Sequence, residues 1–338
     1  MTPADRRRPS TAAVIVALLT VYVVWGSTYL AIAVMIETLP PLLAAGIRFC
    51  IAGILMLGAL TIYTRWIRRE PSLERPSRVH WRSAFIIGTL LLLGGNGAVV
   101  LAELRIPSGV AAVLIATVPI WMAVFDAIQT RRPPSLLVVG GLVAGIVGVA
   151  VLLAPLEGVD SIDPVGVALV VVGGTICWAL GSLYARSAPL PRSALLGTGM
   201  EMVAGGLMLL VGGALLGELG RIDVGSFSTR SLLAFAYLVV FGSILAFTAY
   251  TWLLANVSVS VVGTYAYVNP IVAVALGALL LSEPITPRTI IAAVLIVGAV
   301  VAMVSGRPRI AEEPAPEPDV RPLPHEEAGT DPATGRTA

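Results

Sequence analysis

The sequence predicts an all-α integral membrane protein of ten transmembrane helices, arranged as two inverted five-helix repeats. Two observations carry this. The 338-residue chain is 57% hydrophobic and only 12% charged, with a mean hydropathy of +0.91, a composition suited to lipid and not to a water-exposed surface. The chain also says nearly the same thing twice. GVAAVLIATVP at 109–119 is echoed by SVVGTYAYVNP at 260–270; each is followed by a polar break, RRPPS at 131–135 and SEPIT at 282–286, and then by Ile-Val-Gly at 146–148 and 296–298. Upstream, Trp25 opens Trp-Gly-Ser-Thr-Tyr-Leu and Trp178 opens Trp-Ala-Leu-Gly-Ser-Leu-Tyr, each one helix ahead of Leu-Met-Leu at 55–57 and 207–209.

A bilayer core demands roughly 20 apolar residues per helix, and ten runs meet that length. The first, 12–35, follows Arg6, Arg7 and Arg8. It exceeds a signal-peptide core and nine more runs follow it, so it remains as an anchor. The second, 40–63, opens on Pro40-Pro41 and is separated from the third, 83–104, by a basic loop that Pro71 and Pro76 interrupt. Trp66 and Trp81 near the ends of that loop suit the headgroup level. The fourth run, 107–128, holds Pro119; the fifth covers 135–154, the sixth 164–185, the seventh 194–217 and the eighth 231–254. The ninth, 258–281, holds Pro270, and the tenth covers 287–305. This divides the chain into an N-terminal segment 1–11, repeats at 12–156 and 160–306, and a tail at 307–338. The tail is rich in proline and acidic residues without an apolar face, a composition of disorder.

All 22 basic residues are arginine, a usage that points to GC-rich coding and hence a bacterial inner, or plasma, membrane. With the N-terminus in the cytoplasm, Arg6, Arg7, Arg8, Arg65, Arg68, Arg69, Arg75, Arg78, Arg82, Arg131, Arg132, Arg186, Arg192, Arg307 and Arg309 fall inside. Only Arg105, Arg221, Arg230 and Arg288 fall outside. This positive-inside bias predicts that both termini are cytoplasmic. Because five helices are an odd number, the second repeat crosses in the reverse sense. The break after the fourth helix agrees, being Arg131-Arg132 where the topology is cytoplasmic and Ser282-Glu283 where it is external. Inverted repeats are the signature of secondary transporters with a site between the halves.

Trp25-Gly-Ser-Thr-Tyr-Leu, Pro40-Pro41 leading to Gly46-Ile-Arg48-Phe, Ser108-Gly-Val-Ala-Ala followed by Pro119, and Leu281-Ser-Glu283-Pro-Ile-Thr resemble the EamA-type transporters of the drug/metabolite transporter superfamily. The likeness spans about 12–306 of the chain. It implies ten helices in two inverted repeats, a cavity lined mainly by helices 1, 3, 4, 6, 8 and 9, and export of amino acids, metabolites or drugs. One departure is Arg131-Arg132, where that family often carries Gly-Glu; Glu283 matches in the other half.

On those cavity helices, Trp25, Tyr29, Asn96, Trp178, Tyr267 and Asn269 are the expected substrate contacts. Trp25 and Tyr29 are four apart and share a face, and buried indoles, phenols and amides need partners that a watery cavity supplies. Trp121, Tyr250, Trp252 and Tyr265 are further aromatic groups on the same helices, while Glu103 and Asp126, near helix ends, are read as snorkelling. Arg48 is costly inside a membrane and needs a partner. Aligning Gly46 with Gly199 makes Glu201 its counterpart. The two form a structural or coupling pair near the pseudo-twofold axis, or each faces its own vestibule. Pro119 and Pro270 free the carbonyls of Ile115 and Ala266, which makes them either packing kinks or gate kinks around the cavity.

Cys50 and Cys177 stand inside helices without metal-ligand company, so no disulfide, metal or cofactor is implied. No Gly-x-x-x-x-Gly-Lys-Ser/Thr loop is present to cradle ATP. Two histidines, His80 and His325, and scattered acids offer no catalytic cluster. The expectation is therefore a secondary active exporter of small, uncharged or zwitterionic metabolites, coupled to protons, with Glu201 as the coupling carboxyl unless Arg48 holds it as an ion pair. A facilitated uniporter or exchanger, a gated channel and a membrane enzyme are the rival classes. Its partners are the small-molecule substrate, protons and the lipid bilayer, with no nucleic acid; a homodimer remains open.

Single cysteines placed in 155–163 should react with an impermeant thiol reagent from outside the cell, and cysteines in 64–82 should not. The inverse labelling pattern would overturn the orientation.

Overall fold

The computed structural model describes residues 10–67, 74–131, 136–153, 164–257 and 259–305. The tail at 307–338, for which the composition predicts disorder, and the stretch between the repeats lie outside the described residues. The described elements are helical: α1 Thr11–Met35, α2 Pro41–Arg65, α3 Arg78–Ala102, α7 Ala194–Leu215 and α8 Thr229–Leu254, all long and apolar enough to cross a membrane. Between and after them come α4 in two pieces, Ser108–Ile115 and Val118–Thr130, α5 Leu136–Leu153 and α6 Pro164–Ala185. Helix α9 is also in two pieces, Val259–Val262 and Tyr265–Leu281, and α10 is Pro287–Ser305.

Helix starts follow from local chemistry. Ser10, Ser77, Ser193 and Ser228 cap α1, α3, α7 and α8, each hydroxyl accepting a first-turn amide. Pro41 opens α2 at a position where its missing amide costs nothing. Helices α4 and α9 both end in a left-handed residue, Arg131 at φ 53° and Ser282 at φ 55°. Such a φ is uncommon outside glycine. The same backbone device therefore terminates the fourth helix of each repeat.

The repeats meet where α2 crosses α7. A Cβ on Gly46 would lie 2.9 Å from the Gly206 carbonyl oxygen, and one on Gly53 would lie 2.8 Å from that of Gly199. The order is reversed, so the two helices are antiparallel. Aligning Gly46 with Gly199 also superposes Gly53 on Gly206, so the two contacts are copies of one another. At their centre the Cys50 thiol donates to the Val203 carbonyl at 3.9 Å, and these two residues are counterparts as well. The pseudo-twofold axis thus runs through a seam of backbone against backbone. Lipid offers no hydrophobic force between helices, and small residues that allow such close approach supply the dispersion contact instead.

Small residues also seat α3. Gly88 lies against Glu201 and Gly205 of α7, Gly94 against Cys177, and Gly95 against Trp178 of α6. Helix α5 packs on α10, with Gly148 against Ile296, and this pair turns Leu136 (90% exposed), Leu137 and Val294 outward, as a lipid-facing surface requires. Corresponding stretches of α3 and α8, Thr89–Asn96 and Leu238–Leu245, are π-helical, as is Val21–Trp25 of α1. Such segments loosen the hydrogen-bond ladder and recur at functional sites.

The two prolines stand differently in their helices. Helix α4 is interrupted just before Pro119, which enters the first turn of its second piece. Pro270 sits inside Tyr265–Leu281 without ending it. The interruption of α9 falls instead at Gly263–Thr264, where a glycine and a β-branched residue of low helix propensity adjoin.

Gly88→Ala should lower thermal stability in detergent by about 1–3 kcal/mol, because the added methyl meets backbone at 2.5 Å from the Glu201 carbonyl oxygen and cannot push it aside. Gly58→Ala on α2, where nothing lies within 4 Å, should leave the melting temperature unchanged or raise it.

Candidate functional site

Five of the six expected substrate contacts, Trp25, Tyr29, Asn96, Trp178 and Asn269, line one cavity. Tyr267 lies on α9, and its side chain is outside the described set. Helix α2 also contributes, through Arg48 and Phe49, beyond the helices the resemblance implied. Trp121 and Trp252 are not among the lining residues.

One end of the cavity is a cluster of rings. Around Trp25 the ring centres of Tyr250, Tyr265, Trp178 and Phe247 stand at 4.8, 5.5, 5.8 and 5.9 Å. These residues come from α1, α6, α8 and α9, so both repeats build the cluster. The Trp25 indole donates to the Gly242 carbonyl at 3.2 Å, inside the π-helical stretch of α8. The Trp178 indole nitrogen lies near the Tyr250 and Tyr265 hydroxyls but makes no hydrogen bond of good geometry. Edge-to-face pairs are worth about 0.5–1.5 kcal/mol each beyond burial, which makes the cluster cohesive.

Arg48 stands in the cavity wall, 3% exposed. Its guanidinium carbon lies 4.1 Å from the Phe49 ring centre, and Nη2 donates to Asn96 Oδ1 at 3.2 Å. Nε and Nη1 have no protein partner. Asn269 ties α9 to α1: with its amide nitrogen turned inward it donates to the Tyr22 and Tyr265 carbonyls, each at 3.2 Å. The Tyr22 hydroxyl bonds Thr264 at the α9 interruption.

Glu201 does not meet Arg48. It lines a second cavity with Thr198, Arg186 and Arg192, and Phe247 and Tyr250 belong to that wall too. The reason is geometric. The axis passes by the counterparts Cys50 and Val203, so Arg48 and Glu201, each two residues away from it, are displaced along the antiparallel helices in opposite directions and face different cavities. Among the described residues the one ion pair joins Arg230 to Glu37 at 3.7 Å. The ring cluster therefore stands between two chambers. The Arg48 chamber has about 70 Å³ of free space and the Glu201 vestibule about 270 Å³. The first holds only a few waters.

Carboxylates that cap helices across the repeats were not found from sequence. Glu218, just after α7, accepts the Leu42 and Leu43 amides of α2 at 3.0 and 2.9 Å. Glu74, just before α3, accepts the Arg192 amide ahead of α7 at 2.7 Å. These are equivalent contacts, one on each side. Glu283, singled out from sequence, accepts Ser108 N, Ser108 Oγ and Gly109 N at 2.9, 2.8 and 3.2 Å, capping α4. A carboxylate there meets unpaired amides and the positive end of the helix dipole. Glu103 is not snorkelling: both its carboxylate oxygens are buried without a donor, within electrostatic reach of Arg48 and Glu283.

The EamA-like transporter family matches residues 12–154 and 165–305. The "uncharacterized inner membrane transporter YedA" of Escherichia coli K12 is 38% identical over 90% of this chain and 95% of its own length. The "uncharacterized transporter YvbV" of Bacillus subtilis is 25% identical over 82% of this chain and 87% of its own. A solved crystal structure, 20% identical, shares the fold with a TM-score of 0.60 over 87% of this chain and 96% of that one.

Separate chambers predict independence. Arg48→Gln and Glu201→Gln should each perturb stability or activity, and the double variant should show their sum to within about 0.3–0.5 kcal/mol. A larger coupling, or rescue by exchanging the two charges, would mean that the residues meet.

Proposed function

We propose that this chain, which belongs to the EamA-like transporter family, exports small uncharged or zwitterionic metabolites across the inner membrane by alternating access. It is a transporter and not an enzyme, and its helices cross the membrane many times. The observation that carries the finer reading is the pair of chambers, with Arg48 above and Glu201 below one aromatic cluster. In this reading Trp25, Tyr29, Asn96, Trp178, Tyr267 and Asn269 hold the solute, and the cluster is the gate that it must part. Because the rings come from both repeats, a rocking motion of one repeat against the other would open one chamber as it closes its opposite.

The orientation fits the positive-inside bias. Arg186 and Arg192 line the vestibule, which supports a cytoplasmic assignment for it under the positive-inside bias. On the opposite side Ser231 Oγ donates to the Val34 carbonyl at 2.8 Å and the Ser228 amide to Thr38 Oγ1 at 3.1 Å, closing α8 on α1. Glu201, 5% exposed, is the coupling carboxyl of this reading: an ionisable group at such depth, lining a watery cavity, is the usual carrier of a proton in a membrane protein.

Protein reconstituted into vesicles should drive substrate against its gradient when a pH gradient is imposed, and Glu201→Gln should abolish that response. Conservative changes at the six contact residues should alter rate or substrate preference while membrane abundance stays near normal. Equilibration that ignores the pH gradient, together with an unaltered rate in Glu201→Gln, would replace the antiporter with a facilitated exchanger.

A further inference from the structure

We propose that Arg48 and Asn96 form a subsite for one carboxylate of the transported solute, whose apolar body lies against the Trp25 cluster. This deepens the transporter reading and rests on it. The guanidinium is 3% exposed and lines the chamber, yet only Nη2 has a hydrogen-bond partner, Asn96. Nε and Nη1 have none among the protein's groups. Nη1 forms the end of the fork together with Nη2, and Nε forms its side together with Nη2, so each of the two edges by which a guanidinium grips a carboxylate keeps an unpaired donor. The bond to Asn96 fixes the plane of the fork, and the Phe49 ring at 4.1 Å supports its face.

The surroundings favour an anion and one of limited charge. Glu103 is within electrostatic reach of Arg48 but forms no ion pair with it, so the guanidinium keeps its donors for a ligand. Glu201, the α7 counterpart of Arg48, lines the separate vestibule. Beyond the guanidinium the walls are Trp25, Tyr29, Trp178 and Phe247, which accept a ring or an aliphatic body and offer no second cation. A monocarboxylate attached to an apolar group satisfies both parts. The carboxylate of an amino acid and that of a simple acid present the same chemistry to Arg48.

Binding to purified full-length protein, measured by calorimetry, tests this with 3-phenylpropionate, phenethylamine and phenylalanine. The acid should bind at least about 10- to 100-fold more tightly than the amine, the span that hydrogen bonds to a charged group support. Arg48→Gln should erase that preference. Asn96→Asp, which keeps the size of the side chain and gives the guanidinium a fixed anion, should erase it as well, and its melting temperature reports that the fold survives. Phenylalanine binding at least as tightly as the acid assigns the carboxylate to a zwitterion; weaker binding assigns it to a simple acid, and either outcome keeps the subsite. Equal binding of acid and amine, no binding of either, or a preference that survives Arg48→Gln overturns it. The transporter reading is judged separately, by the response of vesicles to a pH gradient, and stands if only the acid preference is missing.

Discussion

Every other feature depends on the close crossing of α2 and α7. Gly46 and Gly53 lie against Gly206 and Gly199 with backbone nearly touching backbone, and this contact sets the axis about which the repeats are inverted. Side chains at this seam would separate the helices and widen both chambers. Because the contact is antiparallel, it also assigns Arg48 to one chamber and Glu201 to the other. Two charges that occupy one sequence position in the two repeats therefore do not neutralise each other in this structure. Each must find its own solution in a medium where an unpaired charge is expensive. Arg48 does so with an amide and a ring face, and Glu201 with a vestibule wide enough for water.

The ring cluster depends in turn on the π-helical stretches. Trp25 closes one such stretch in α1, and its indole reaches a carbonyl in another, at Gly242 of α8. The cohesion of the cluster is spread over several edge-to-face contacts of modest strength. That combination blocks passage in one state without a bond whose loss would forbid the other.

Much of this was legible in the sequence, for identifiable reasons. Apolar runs of membrane length are local, and so are the echoes of Trp25 in Trp178 and of 109–119 in 260–270; both reveal themselves without knowledge of packing. Aromatic and amide groups inside such runs need water or a partner, which is why Trp25, Tyr29, Asn96, Trp178 and Asn269 converge on one chamber. The interruption of α9 was missed because Pro270 is the stronger local signal. Pro270 lies within the helix, and the chain breaks at Gly263–Thr264 instead. Glu218 and Glu74 were missed for another reason. Each caps a helix more than a hundred residues away, Leu42 and Leu43 in one case and Arg192 in the other, and no local pattern marks an acid in a loop as a distant cap.

The repeats match in shape more closely than in charge, and the difference bears on how the two access states balance. A perfect twofold would make them equal in energy. Here Glu283 fastens the start of α4 with three hydrogen bonds, and the break that corresponds to it after α4 carries Arg131, which has the left-handed backbone of Ser282 but no acid to offer. Glu218 likewise makes two bonds where its counterpart Glu74 makes one. Each hydrogen bond to a charged group is worth about 1.5–3 kcal/mol, and a two-state equilibrium shifts tenfold for every 1.4 kcal/mol. Under the proposed alternating access, carboxylates gathered at one membrane face favour the closure of that face, and the transported solute would have to contribute differential binding of comparable size to reverse it.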